Sequence, residues 1–370
     1  MNLTPAKEVG HYIISSPSHF VGDFIAEDLR IDHCWPDFND RAQWTAKMTE
    51  SPYSRHFYVV SVENPIKQSE TVLTSRSYLA ELVASLAAVW FGKSFKTNGS
   101  LIENGLFTLP MIEPYQPLTY KTAPCFNSSK RIDLDIELNW SNFQAPYRIM
   151  ELPQDTKELR AFWNSLRYYN SALNYFEFDP EIAFFLMISA LEFIGAACDV
   201  PEAELYDPDL NRDFEAIKMT SENGTRIVDE LKKRLYQLRR RIGWISKQFL
   251  NDYFFSHTES SVPFGALNQE SIPRVFRDAY DLRSSYAHDG KQFANAIKPL
   301  AQLNNEVLIG DSGYKLDGKF VSQVKKGNLT FLGLERSARF IILSFCHNHI
   351  LNIDERLSRV SSDHKSVPDE

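Results

Sequence analysis

The rhythm of apolar and polar positions changes near residue 150. Before it, short apolar runs alternate with turn residues. After it, apolar side chains recur every three or four positions over long stretches. Residues 56–63 (HFYVVSVE) predict a strand: they are aromatic and β-branched, and Asn64-Pro65 ends them. Residues 131–140 (RIDLDIELNW) alternate, with Ile132, Leu134, Ile136 and Leu138 on one side, and predict a second, half-buried strand. Between them, 74–91 predicts a helix with Leu79, Leu82, Val83, Leu86 and Trp90 on one face. Thr74 or Ser75 can cap it, and Gly92 stops it.

Beyond a short polar linker at 153–157, five helices are expected. The first, at about 157–176, is rich in aromatics. The second opens with Asp179 as N-cap and Pro180 at its first position, and runs IAFFLMISALEFIGAAC. It is apolar almost all round, as a central buried helix is. The third starts near Thr225, with an apolar stripe of Val228, Leu231, Leu235, Leu238 and Ile242 and basic side chains elsewhere. The fourth covers 272–288, with Gly290 just past its end, and the last covers 334–353. The polar stretch 291–333 carries the turn signals Gly310-Asp311-Ser312-Gly313 and Asp317-Gly318. These lie among short β-like runs (EVLI, YKL, KFVSQV, LTFL) and suggest inserted β-hairpins. The expected fold class is an α+β N-terminal domain (1–150) followed by an all-α helical bundle (155–355) with a β-hairpin insert. A tail at 356–370 is expected to be disordered.

Composition narrows the function classes. The 370 residues are 43% apolar and 24% charged, with 26 Phe and 16 Tyr, ample for a core and unlike a largely disordered chain. A net charge of −8 and a pI near 5.7 argue against a protein that coats duplex DNA. Cys34, Cys125, Cys198 and Cys346 are widely scattered, which fits neither a disulfide framework nor a zinc knuckle. The N-terminus lacks a basic region followed by an apolar run, and Glu81 and Glu192 interrupt the two greasiest stretches. The expectation is a cytoplasmic chain with no membrane span, no metal and no cofactor.

The sharpest chemical feature is Arg283-Ser-Ser-Tyr-Ala-His288, at the end of the fourth helix. A guanidinium can hold a phosphate bidentately and offset charge developing on it. An imidazole, with an ordinary pKa of about 6.5, can trade the proton of a ribose 2′-OH or of a leaving 5′-oxygen at neutral pH. Such chemistry needs no metal and is specific to RNA. The same spacing recurs by chance at Arg359 and His364 in the tail, so the structural context has to support the motif.

That context resembles HEPN domains, specifically the Apea-like group, whose signature is R-x4-6-H at the end of a late helix in a compact bundle. The matching text is LRSSYAHDG (282–290), and ISALEFIG (188–195) is similar to the group's apolar second helix with its Leu-Glu pair. The resemblance covers about 155–355. It implies an endoribonuclease of antiviral, toxin–antitoxin or RNA-processing systems, acting as a homodimer in which two motifs face one cleft. Arg283 would then be the phosphate anchor and His288 the general acid or base. Positions five apart lie about 140° apart around a helix, so two-fold pairing, with one imidazole as base and the other as acid, suits the spacing. Many active members carry Asn, Asp or His directly after the arginine, where this chain has Ser284. The alternative is a non-catalytic bundle that binds RNA or a protein such as an antitoxin or regulator.

Other features are open to two readings. Ser284 can hydrogen-bond RNA. Tyr286 can stack a base or pack with Leu282. Lys232, Lys233, Arg239 and Arg240 form either a phosphate-tracking RNA groove or a solvated basic face. Glu192, within a nearly all-apolar helix, reads as a core carboxylate bonded to a bundle arginine. His347 and His349, two apart on a helix, face different ways and do not share a metal. Gly92-Lys93-Ser94 imitates the end of a phosphate-binding loop, but it closes a helix instead of opening one.

Overall fold

The computed structural model describes residues 7–34, 55–65, 76–103, 106–108, 118–152, 156–235, 237–309 and 328–351. The N-terminal strands are β1 (Lys7–Ser16), β2 (Phe24–Ile25), β3 (Leu29–Cys34), β4 (His56–Pro65), β5 (Lys96–Glu103) and β6 (Leu106–Phe107). They form one antiparallel sheet in the order β2-β3-β4-β1-β5-β6. Register places Tyr12 opposite Val60 and Ile14 opposite Tyr58, with Ile31 beyond Val60 on the next strand. All five side chains are buried. Apolar residues thus line up across three strands and fix the pairing, since a one-residue slip would turn them all outward.

Helix α1 (Ser77–Phe91) covers the sheet, packing on β1, β4 and β5, and its other side meets the bundle. Gly92 ends it in the left-handed conformation (φ 65°) expected of a glycine stop. The helix begins three residues later than its pattern predicts, with no side-chain cap. Thr74 and Ser75 lie outside the described residues.

The bundle consists mainly of α3 (Lys157–Tyr175), α4 (Pro180–Ala197), α7 (Leu238–Phe249), α8 (Ile272–Asp289) and α9 (Phe331–His349), with α2 (Gln144–Met150) leading in. Local chemistry sets several starts: Thr156, Asp179 and Thr330 each accept a backbone N–H with their side chains at N-cap positions. Helix α4 is the central element, packed against α3, α7, α8 and α9. It is also the one described helix long and apolar enough to cross a membrane, and most of it is buried in the bundle. One apolar cluster runs from Tyr12 and Ile14 in the sheet through α1 to Phe345 in α9, so both halves share a core. Helices α5 (Pro208–Thr220) and α6 (Gly224–Arg234) build a smaller satellite cluster around Tyr206, Phe214 and Val228.

Four sequence expectations need correction. Residues 131–140 are not a strand: Arg131 and Asp133 are buried, while Ile132 is 56% exposed. The alternation is real, but at its start ion pairing inverts which side faces inward. The third expected helix is two helices, α6 and α7, broken around Gln237 (φ 47°), and α5 had no counterpart in the pattern. The last helix starts at Phe331, not 334, so the LTFL run is a bridge residue, a cap and the first helical turn. Of the expected hairpin insert, 310–327 lies outside the described residues. Residues 291–309 hold a helical turn (Ala294–Ile297) and loops, and Val307 pairs antiparallel with Leu329 at the stem. The tail at 356–370 also lies outside the described residues.

Candidate functional site

Helix α8 turns Ile272, Val275, Phe276, Ala279 and Leu282 into the core. Arg283 follows at the edge of that stripe and is half withdrawn from solvent. Its Nη2 donates to Glu192 Oε2 of α4 at 3.0 Å, with the two side chains 17% and 15% exposed. The guanidinium lies 4.5 Å from the Phe185 ring centroid and 5.9 Å from that of Tyr280. The core carboxylate expected of Glu192, bonded to a bundle arginine, is therefore found. Desolvation raises the Glu192 carboxyl above the usual range, and Arg283 opposes this only in part.

The pair is incompletely satisfied. Arg283 Nε and Glu192 Oε1 are buried without a hydrogen-bond partner, and Nη2 carries the arginine's one hydrogen bond among the described residues. A guanidinium oriented by one carboxylate, flanked by two rings and left with unused donors can take a second, anionic partner. His288 stands in the last turn of the same helix, exposed, with no hydrogen bond or ion pair to any described residue. Gly290 (φ 63°) closes the helix with its N–H on the Ser285 and Tyr286 carbonyls, leaving open space around it.

The other predicted residues fall into place around α8. Ser284 is partly exposed. The Tyr286 ring packs edge-on against Phe293 (5.6 Å) and near Phe185 (6.4 Å), which favours its packing role over base stacking. The basic stretch does not present a row of free cations. Lys232 bonds Glu202 at 2.6 Å and lies over the Tyr206 and Phe214 rings. Lys233 bonds Glu230, Arg240 bonds Asp207, and Arg239 holds Asp281 of α8 with two bonds of 2.7 and 2.8 Å. Arg241 instead reaches the Gly195 and Cys198 carbonyls at the end of α4. Arg239 and Arg241 thus tie α7 to α8 and α4.

Phe185 and Tyr280 were not singled out from the sequence. Their signals were available: Tyr280 precedes Arg283 by three residues on one helix face, and Phe185 precedes Glu192 by two turns. Among the described residues, no group of three or more His, Cys, Asp or Glu side chains could hold a metal ion. Comparison with protein families, with curated proteins and with solved structures returned no match.

Proposed function

We propose that this chain is a metal-independent endoribonuclease of the HEPN type, acting as a homodimer on RNA in defence or stress response. The observation that carries the reading is Arg283: a guanidinium oriented by Glu192, with donors unused, on the same helix end as His288, which is exposed and has no partner among the described residues. In this scheme His288 takes the proton of a ribose 2′-OH, and the oxygen attacks the adjacent phosphorus. Arg283 offsets the charge gathering on the phosphoryl oxygens. The P–O5′ bond breaks, leaving a 2′,3′-cyclic phosphate, and the leaving 5′-oxygen takes a proton from His288 of the partner subunit.

A second reading, a non-catalytic module binding RNA or a regulatory protein, is favoured by one observation: Lys232, Lys233, Arg239 and Arg240 each already hold a carboxylate. Cleavage of pooled tRNA and mRNA in excess EDTA separates the two readings. EDTA-resistant cutting that leaves cyclic phosphates and is lost in His288→Ala and Arg283→Ala is the expected result. Binding that persists in both variants, with no cutting by the folded wild type, would overturn the enzyme reading.

A further inference from the structure

A second candidate site lies elsewhere, where the sheet meets the bundle. Helix α3 carries Arg167, Ser171 and Tyr175 at spacings of four, so they share one outward stripe, and Phe178 follows in the turn just past the helix end. That stripe, the start of β5 and the first turns of α1 enclose a cleft of about 550 Å³. The volume lies within the roughly 300–1,000 Å³ range of small-molecule sites. None of its lining residues belongs to the Arg283 site.

The cleft has three kinds of wall. Its cations are Arg167, exposed and without an ion pair or hydrogen bond to any described residue, and Lys96 of β5. Its apolar wall is aromatic and open: Phe178 is 72% and Tyr175 48% exposed. Its floor is polar. Asn170 accepts the Phe95 N–H through Oδ1, and Asn174 donates to the Phe95 carbonyl at 2.7 Å, so β5 is pinned to α3. The amide of Asn170 and the hydroxyl of Ser85 are further polar groups of this floor. A few polar groups set between aromatic side chains suit the orientation of a small ligand.

We propose that this cleft binds a nucleoside monophosphate. Arg167 holds the phosphate. Phe178 and Tyr175 offer the base a stacking face. Asn170 and Ser85 in the floor meet polar edges of the ligand. Glu81, on the α1 rim, accepts from ribose hydroxyls and repels additional phosphates, which selects a single phosphate. The same chemistry ends an RNA strand, so free nucleotide and strand end are two sources of one ligand.

The test is calorimetric titration of the full chain with AMP, GMP, CMP and UMP. Parallel titrations use inorganic phosphate, adenosine and a 5′-phosphorylated RNA hexamer. All are done in the His288→Ala background so that RNA cutting plays no part. Saturable binding of at least one mononucleotide is expected, weakened about tenfold or more by Arg167→Ala and again by Phe178→Ala. Binding confined to the hexamer, with the same losses, assigns the cleft to a strand end. Absence of saturable binding by any mononucleotide or the hexamer at about 5 mM overturns the proposal, as do affinities unchanged by both substitutions. Both side chains are exposed, so neither variant should disturb folding or, in the wild-type background, RNA cleavage. Failure here leaves the endoribonuclease reading untouched, and the converse also holds.

Discussion

Two arginine–carboxylate assemblies in this molecule use the same chemistry to opposite ends. The first lies where α9, the end of α1 and the 131–133 segment meet. Arg131 donates through all three nitrogens, to Glu259, Glu335 and the Gly92 carbonyl. Arg339 likewise spends all three, on Asp133 and on the Val89 and Trp90 carbonyls at the end of α1. Arg336 adds Glu306 and the Phe254 and His257 carbonyls through its two Nη atoms, its Nε is left without a hydrogen bond, and its guanidinium stacks 3.7 Å over Phe254. These side chains are fully withdrawn from water. Gly92 is required there, because a Cβ would sit 2.7 Å from both Arg131 Nη1 and Arg339 Nε. The second assembly is Arg283 with Glu192: one bond, partial exposure and unused donors. An arginine sealed from water among carboxylates and carbonyls holds a fold together. One with donors left over and a route to solvent can hold a ligand.

The contrast can be broken by three substitutions, taken from the largest expected effect to the smallest. Arg339→Met should strand Asp133 and two helix-end carbonyls, those of Val89 and Trp90, and cost about 3–5 kcal/mol by urea denaturation. A loss below about 1 kcal/mol would show that the web is not what joins the two halves. Arg283→Ala should cost less, about 1–3 kcal/mol, since Glu192 keeps some access to water. Its larger effect should be on RNA cleavage, read on the same folded preparation. Equal stability losses for the two arginines would remove the distinction between them.

The smallest effect is a pH dependence. Because burial holds Glu192 above the usual carboxylate range, the folded state keeps its proton where the unfolded state has lost it. Stability therefore falls as pH rises from the unfolded carboxyl's value through the raised folded one, and is flat beyond. Glu192→Gln should lack this component, so the wild-type-minus-variant stability should decline with pH in that window. A difference that rises instead would mean that Arg283 outweighs burial.

The helices were mostly legible because their signals are local. Asp179-Pro180 opens α4, Gly92 and Gly290 close α1 and α8, and apolar stripes mark the buried faces. Arg283 and His288 were legible as a pair for the same reason: both lie within two turns of one helix. The break at Gln237 was not legible, since the apolar stripe continues in phase across it while the backbone does not. Nor was the cleft at Arg167, because its walls come from two stretches, 81–97 and 167–178, far apart in sequence.

By itself the sequence determined the start of α4 and the ends of α1 and α8, that both halves could bury a core, and that an arginine and a histidine share the end of α8. Tertiary structure alone decided the partners of the charged residues. Arg131 and Asp133 sit in an alternating pattern that reads as a half-buried strand, yet Glu335 and Arg339, some two hundred positions away, draw them into the core. Glu192 was legible as a buried carboxylate, but only the packing of α4 on α8 gave it Arg283. The physical reason is range. Capping and periodicity act over a few residues, whereas burying a charge depends on which distant group arrives to compensate it.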